Sequence, residues 1–343
     1  MSQPGAPDRP GQAASGGLDV VTGVNGHRPG QPGLTGRTNL EIDVSDAVDL
    51  PGTHVLHGWL RMPTATWPGP RTPLVYCLAG GRCTTAYFDL HVDGLDGWSM
   101  AEHLASRGAI VVALDHLGIG ASSAVDDIFL VTPRMLAAIH ARALGMVREM
   151  VDGDVLAVGL GHSMGGMLAT VQQARHRCFD ALVGLGHGGD GLPQFISDAD
   201  RPAGDALHDH LRALARAHAE RPPGRRRRLP PNSFFLPDVP APVRAAFVAQ
   251  QAELLHSCGM ASLIPGATDT EKASIDIPLF LAFGDHDLTD DYLGNLARYR
   301  SVKDATLFVL RGSAHCHNQA MTRTVLWDRI ASWLTSVGIS LPG

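Results

Sequence analysis

From Leu40 onward the chain is a succession of short apolar runs separated by stretches in which apolar residues return every three or four positions. No other feature constrains the fold as much. Short runs that are apolar throughout suit strands covered on both faces, and the intervening 3.6-residue period supplies the helices that cover them. Eight runs qualify as strands, at 40–44, 54–61, 74–78, 109–114, 155–160, 181–185, 278–283 and 306–310. Thr132 and Pro133 offer a cap and a first-turn proline to a helix with the stripe Leu136, Ile139, Ala143, Val147 and Met150. A C-terminal helix is marked by Met321, Val325, Leu326, Ile330 and Trp333. The expectation is an α/β fold, a mostly parallel eight-stranded sheet with helices on both faces.

Two segments depart from this grammar. Residues 1–37 are rich in Gly, Pro, Ser and Gln with hardly an apolar cluster, so they are expected to form a disordered tail outside the fold. Between 190 and 276 no run reads as a strand. There, two helical patterns, one through Leu207, Leu211 and Leu214 and another through Val243, Phe247, Leu254 and Leu255, flank the link RPPGRRRRLPPNSFFLP. An interval this long is no ordinary connection, and the expectation is a helical cap inserted after the sixth strand, leaving 38–189 and 277–343 as the core.

The charge balance excludes several partners. With 28 basic and 34 acidic residues the net charge is −6, which offers no footprint for nucleic acid or an anionic membrane surface. The run Arg225 to Arg228 has no interleaved aromatics and reads as a solvated loop. No apolar run approaches the roughly 18 residues of a membrane span, and the first ten residues lack the basic and apolar regions of an export signal. The five cysteines form no CxxC pair, so reduced thiols in a cytoplasm are expected rather than a zinc knuckle or a disulfide framework.

Gly161, His162, Ser163, Met164 and Gly165 form a G-x-S-x-G between the run 155–160 and a helical stretch carrying Met167, Leu168 and Val171. The strand-turn-helix setting is what a nucleophilic serine needs. Small residues two before and two after it let strand and helix approach while the hydroxyl projects above the sheet. A hydroxyl is a weak nucleophile until a base takes its proton. His315, just past the run 306–310, is placed for that role. The neighbouring Cys316 and His317 do not give an ordinary metal spacing, so no metal and no cofactor is expected. An acid must then hold the histidine's tautomer. Asp287, fourth in the G-x-x-D turn after 278–283, is the choice, with Asp285 and Asp190 as rivals. Leu78, Ala79, Gly80 and Gly81 end the third run, so the N–H groups of Met164 and of Gly81 or Arg82 are the candidates to face a developing oxyanion.

Together these residues resemble the α/β-hydrolase superfamily over about residues 38–337, with the elbow GHSMGG as the most specific element. Asp115, Gly118, Gly120 and Ser122 are similar to that family's D-x-x-G-x-G-x-S stretch, and the 190–276 insertion lies where the family places its cap. Ala79 is a departure, since many members have a histidine there. Ser163 is at odds with the dehalogenases and epoxide hydrolases of the family, which attack with an aspartate. The resemblance implies a serine hydrolase acting on an ester, thioester or related acyl bond of a small apolar substrate. Carbon–carbon bond hydrolases, cofactor-free haloperoxidases and acyl transferases share such elbows, and a non-catalytic small-molecule receptor is the alternative of another class.

Overall fold

The structure is a computed structural model that describes residues 20–23, 36–193, 196, 206–220, 229 and 231–340. Its strands are β1 (Val20–Gly23), β2 (Arg37–Asp43), β3 (Val55–Arg61), β4 (Thr72–Leu78), β5 (Ile110–Leu114), β6 (Val155–His162), β7 (Ala181–Leu185), β8 (Leu279–His286) and β9 (Ala305–Ala314). They form one sheet in the order β1-β2-β3-β5-β4-β6-β7-β8-β9. Among the described strands only β3 runs antiparallel to its neighbours, β2 and β5.

Eight of these strands are the expected runs with their ends moved by a few residues. The ninth, β1, corrects the expectation for residues 1–37. Val20, Val21 and Thr22 are β-branched, which favours extended backbone, and they pair in parallel with Asn39, Leu40 and Glu41 of β2. The remainder of that segment before Gly36 lies outside the described residues.

The central strands are apolar throughout because each feeds two cores. Leu74, Tyr76 and Leu78 of β4 enter one, whereas Val75, Cys77 and the following Ala79 enter the other. Helices α2 (Pro133–Met150) and α3 (Met164–His176) cover the first face. Helix α1 (Met100–Ser106) and a C-terminal helix described below cover the second. Helix α2 starts as expected, with the Met135 N–H donating to Thr132 Oγ1 at 3.3 Å and Pro133 in the first turn.

Between β7 and β8 lie α4 (Ala206–Ala219), α5 (Ala241–Ala249), α6 (His256–Leu263) and α7 (Asp269–Ser274), four helices among the described residues where two patterns were expected. The second pattern is broken. Val243 and Phe247 sit on α5, but Leu254 and Leu255 belong to the connection into α6. The reason is tertiary, because the Ala252 N–H donates to the Arg82 carbonyl at 2.9 Å and draws the chain onto the loop after β4. Arg225 to Arg228 lie outside the described residues.

Helix α8 (Tyr292–Ala297) precedes β9, and α9 (Arg323–Ser340) follows it. The expected face of α9 is also corrected. Leu326, Trp327, Ile330, Leu334 and Val337 are buried, while Met321 precedes the helix and Val325 is 55% exposed. Among the described residues no helix is long and apolar enough to cross a membrane.

Candidate active site

The elbow forms where β6 passes directly into α3. Ser163, between them, has φ 54° and ψ −121°, a conformation that costs a residue other than glycine on the order of 1–3 kcal/mol. The surroundings hold it there. Its N–H donates to the Leu185 carbonyl on β7 at 2.7 Å, and its own carbonyl accepts from the Gly166 and Met167 N–H groups. The flanking glycines are sterically required. A Cβ on Gly161 would stand 2.2 Å from the Gly165 carbonyl oxygen, and one on Gly165 would stand 1.9 Å from that of Leu78.

His315 follows the last residue of β9 and meets the serine. Its Nε2 lies 2.9 Å from Ser163 Oγ, and its Nδ1 lies 2.6 Å from Asp287 Oδ1. A carboxylate only accepts, so Nδ1 carries the proton and Nε2 is left to accept from the serine hydroxyl. Asp287 stands just past β8, whose register shifts between Gly284 and His286. Two backbone donors hold it, the Gly284 N–H at 3.1 Å to Oδ2 and the Leu288 N–H at 2.7 Å to Oδ1.

Of the rival acids, neither touches His315. Asp285 accepts from the Ser313 N–H and from His286. Asp190 lines the cavity rim but is engaged by Thr289, Asn295 and Arg298.

Nothing in the sequence marks His317 as part of this site. Its Nε2 donates to Asp287 Oδ2 at 2.8 Å, and its side chain is completely buried. The carboxylate therefore bridges two imidazoles. Burial alone would raise the pKa of Asp287, but the interactions with His315 and His317 outweigh it and hold the carboxyl well below the usual range. The spacing H-x-H in a loop contained no signal for this, because it depends on how the loop curls around the carboxylate.

The sequence likewise does not mark His162, the x residue before the serine in G-x-S-x-G. Its Nε2 donates to the His315 carbonyl at 2.8 Å, and its ring stacks on Tyr87 with centroids 4.1 Å apart. Burial, with the neighbouring His315 and His317, pushes its pKa well below the ordinary value, so the ring is uncharged. The segment preceding α5 steadies the same loop, with the His315 and Cys316 N–H groups donating to the carbonyls of Ser233 and Phe234 at 3.1 and 3.0 Å.

The two candidate oxyanion donors border the elbow. Met164 opens α3, so its N–H is among the unpaired donors at the positive end of the helix dipole. After β4 the Gly80 carbonyl accepts from the Cys83 N–H at 3.0 Å, closing a turn whose Arg82 has φ 65°. A Cβ on Gly81 would be 3.9 Å from Met164 Sδ. Asp115 braces the turn's far side, its Oδ1 accepting from the Thr85 N–H at 2.7 Å and its Oδ2 from the Ala121 N–H at 3.0 Å. Ser122 Oγ donates to the Asp115 carbonyl.

A cavity of about 530 Å³ opens on Ser163, His315, Met164 and Gly81. Much of its wall comes from the segment between β7 and β8, including Phe234, Phe235, Phe247, Val248 and Leu254. His187 also lines it, and burial together with the nearby Lys272 keeps that ring uncharged.

In overall fold the chain is similar to a thermostable carboxyl esterase from Bacillus coagulans, with a TM-score of 0.60 at 16% identity over 89% of this chain and 100% of that one. It is also similar to an enol-lactonase from Burkholderia xenovorans LB400 (TM-score 0.53, 18% identity, 82% and 97% of the two chains). A monoacylglycerol lipase from Paleococcus ferrophilus is a third such structure (TM-score 0.56, 18% identity, 78% and 96%). Among curated proteins none matches the sequence. The family profile described as alpha/beta hydrolase fold matches residues 92–318. The elbow between β6 and α3, the sheet order and this match together place the chain in the α/β-hydrolase family.

Proposed function

We propose that the protein is a serine hydrolase that cleaves an ester, thioester or related acyl bond through an acyl-serine intermediate. The observation that carries the reading is the hydrogen-bonded series Ser163, His315, Asp287, whose first two members line a largely apolar cavity while the acid lies buried behind them. In the first step Ser163 Oγ bonds to the acyl carbon while its proton passes to His315 Nε2. The carbonyl oxygen takes the negative charge and faces the N–H groups of Met164 and Gly81. Collapse of the adduct breaks the bond to the alcohol or thiol, which leaves with the proton from His315. Water repeats the sequence on the acyl-serine and frees the acid. Asp287 stays ionised throughout and stabilises the imidazolium. No step calls for a metal or cofactor.

The described part of the segment between β7 and β8 serves as a lid, and its apolar wall of Phe234, Phe235, Phe247 and Leu254 favours an uncharged, apolar acyl group. The five cysteines are unpaired, as a reducing cytoplasm would keep them. A fluorophosphonate probe tests the central claim. It should label the protein once, on Ser163, and labelling that persists undiminished in Ser163→Ala would refute the assignment.

A further inference from the structure

Three side chains beneath the site form a continuous chain that the mechanism above does not use. Tyr76 of β4, His140 of α2 and His116 of the loop after β5 are all fully buried. Tyr76 Oη lies 2.8 Å from His140 Nδ1, His140 Nε2 lies 2.8 Å from His116 Nδ1, and His116 Nε2 lies 3.0 Å from the Ala79 carbonyl oxygen.

The direction of these bonds follows from the last one. A carbonyl oxygen only accepts, so the His116 proton sits on Nε2 and its Nδ1 must accept. His140 therefore donates from Nε2 and accepts at Nδ1, which leaves Tyr76 as the donor that starts the chain. Two uncharged rings allow this single arrangement. Burial supplies that condition, lowering the pKa of both His116 and His140 against the opposing pull of the Ala79 carbonyl on His116.

The carbonyl at the end of the chain has a particular place. It belongs to the peptide from which the turn Gly80 to Cys83 hangs, and Gly80 packs against the elbow so closely that a Cβ there would lie 2.9 Å from His162 Nδ1. The adjacent Asp115 holds the Thr85 N–H on the turn's other side. Two consecutive residues of one loop thus grip the chain immediately before and after the turn that carries Gly81.

We infer that His116, backed by His140 and Tyr76, is a positioning residue that fixes the Ala79 peptide and so aims the oxyanion turn at Ser163. The inference rests on the serine hydrolase reading. It requires the loss to fall on transition-state stabilisation, because the chain touches neither substrate nor triad.

The experiment compares Tyr76→Phe, His116→Leu and His116→Gln, each assayed for kcat, KM and inhibition by a trifluoromethyl ketone, which forms a tetrahedral oxyanion on the serine. Tyr76→Phe removes one hydroxyl and nothing else, so it reports even where His116→Leu fails to fold. Kcat should fall about tenfold in Tyr76→Phe and up to about 100-fold in His116→Leu, no more than the lower end of the 10²–10³ that a deleted oxyanion donor costs. KM should stay within twofold, and ketone affinity should weaken by the same factor as kcat. In His116→Gln the amide nitrogen replaces Nε2 as donor and restores most of the rate. Unchanged kcat and ketone affinity in Tyr76→Phe, or a Gln variant no better than Leu, would overturn the positioning role. A wild-type protein that fluorophosphonate does not label defeats the hydrolase reading itself, and the inference falls with it.

Discussion

Mild acid should destabilise this protein steeply, well before its carboxylates titrate. Burial pushes the pKa of His140, His162 and His187 well below 6.5, reinforced by His116 for the first, by His315 and His317 for the second and by Lys272 for the third. A ring that is uncharged when folded but takes a proton when unfolded draws the equilibrium toward the unfolded chain as pH falls below 6.5. While the folded rings stay uncharged, lowering the pH from 7.5 to 5.5 costs about 1.4 kcal/mol per ring, or roughly 4 kcal/mol for the three. That is a large share of the ~5–15 kcal/mol by which domains are stable. Lys272, pushed down to about 7 chiefly by its burial, extends the same slope to higher pH, since it is uncharged when folded above 7 and protonated when unfolded. Asp287, whose pKa is depressed despite burial, contributes in a separate window, its stabilisation lost only as pH falls below the ordinary carboxylate value. Urea midpoints measured across this range should fall with pH at constant m-value, and calorimetry at pH 6 in buffers of different ionisation enthalpy should show uptake of at least about two protons on unfolding, His116 adding to the three. Stability that is flat or rising on acidification, or uptake near zero, would refute the uncharged burial of these rings.

Three further outcomes are expected. Asp287→Asn should lower kcat/KM on a simple ester by about 10³- to 10⁴-fold near neutral pH by mis-setting the His315 tautomer, whereas Asp285→Asn and Asp190→Asn keep most of the rate; a crippled Asp190→Asn beside a near-normal Asp287→Asn would move the acid to the end of β7. His317→Phe takes one donor from a buried carboxylate, so the urea midpoint should fall in step with a loss of about 1.5–3 kcal/mol, and kcat/KM should fall roughly tenfold, with His317→Gln recovering much of both. Medium-chain or bulky apolar esters should exceed acetates in kcat/KM, a preference that Phe247→Ser and Leu254→Ser reduce; equal values across acyl lengths would argue against a lid that contacts substrate.

What could be read without a structure was what depends on a few consecutive residues. The strands, the capped start of α2, the elbow and the G-x-x-D turn each follow from local backbone preference and side-chain period, and these survive wherever the chain is placed. Even the small residues around Ser163 declare themselves, because strand and helix meet within the motif. Other features required distant segments to meet. Which of Asp190, Asp285 and Asp287 reaches His315 depends on where β8 bulges beside β9. The break after α5 depends on a hydrogen bond to Arg82, and the buried face of α9 depends on what it docks against. The second imidazole on Asp287 and the chain from Tyr76 to the Ala79 carbonyl join residues up to 64 positions apart along the sequence. Such polar contacts leave no periodic trace, because a histidine in a loop or on a helix face reads the same whether its partner is water or a buried carboxylate. Only the packing that removes water makes the partner obligatory.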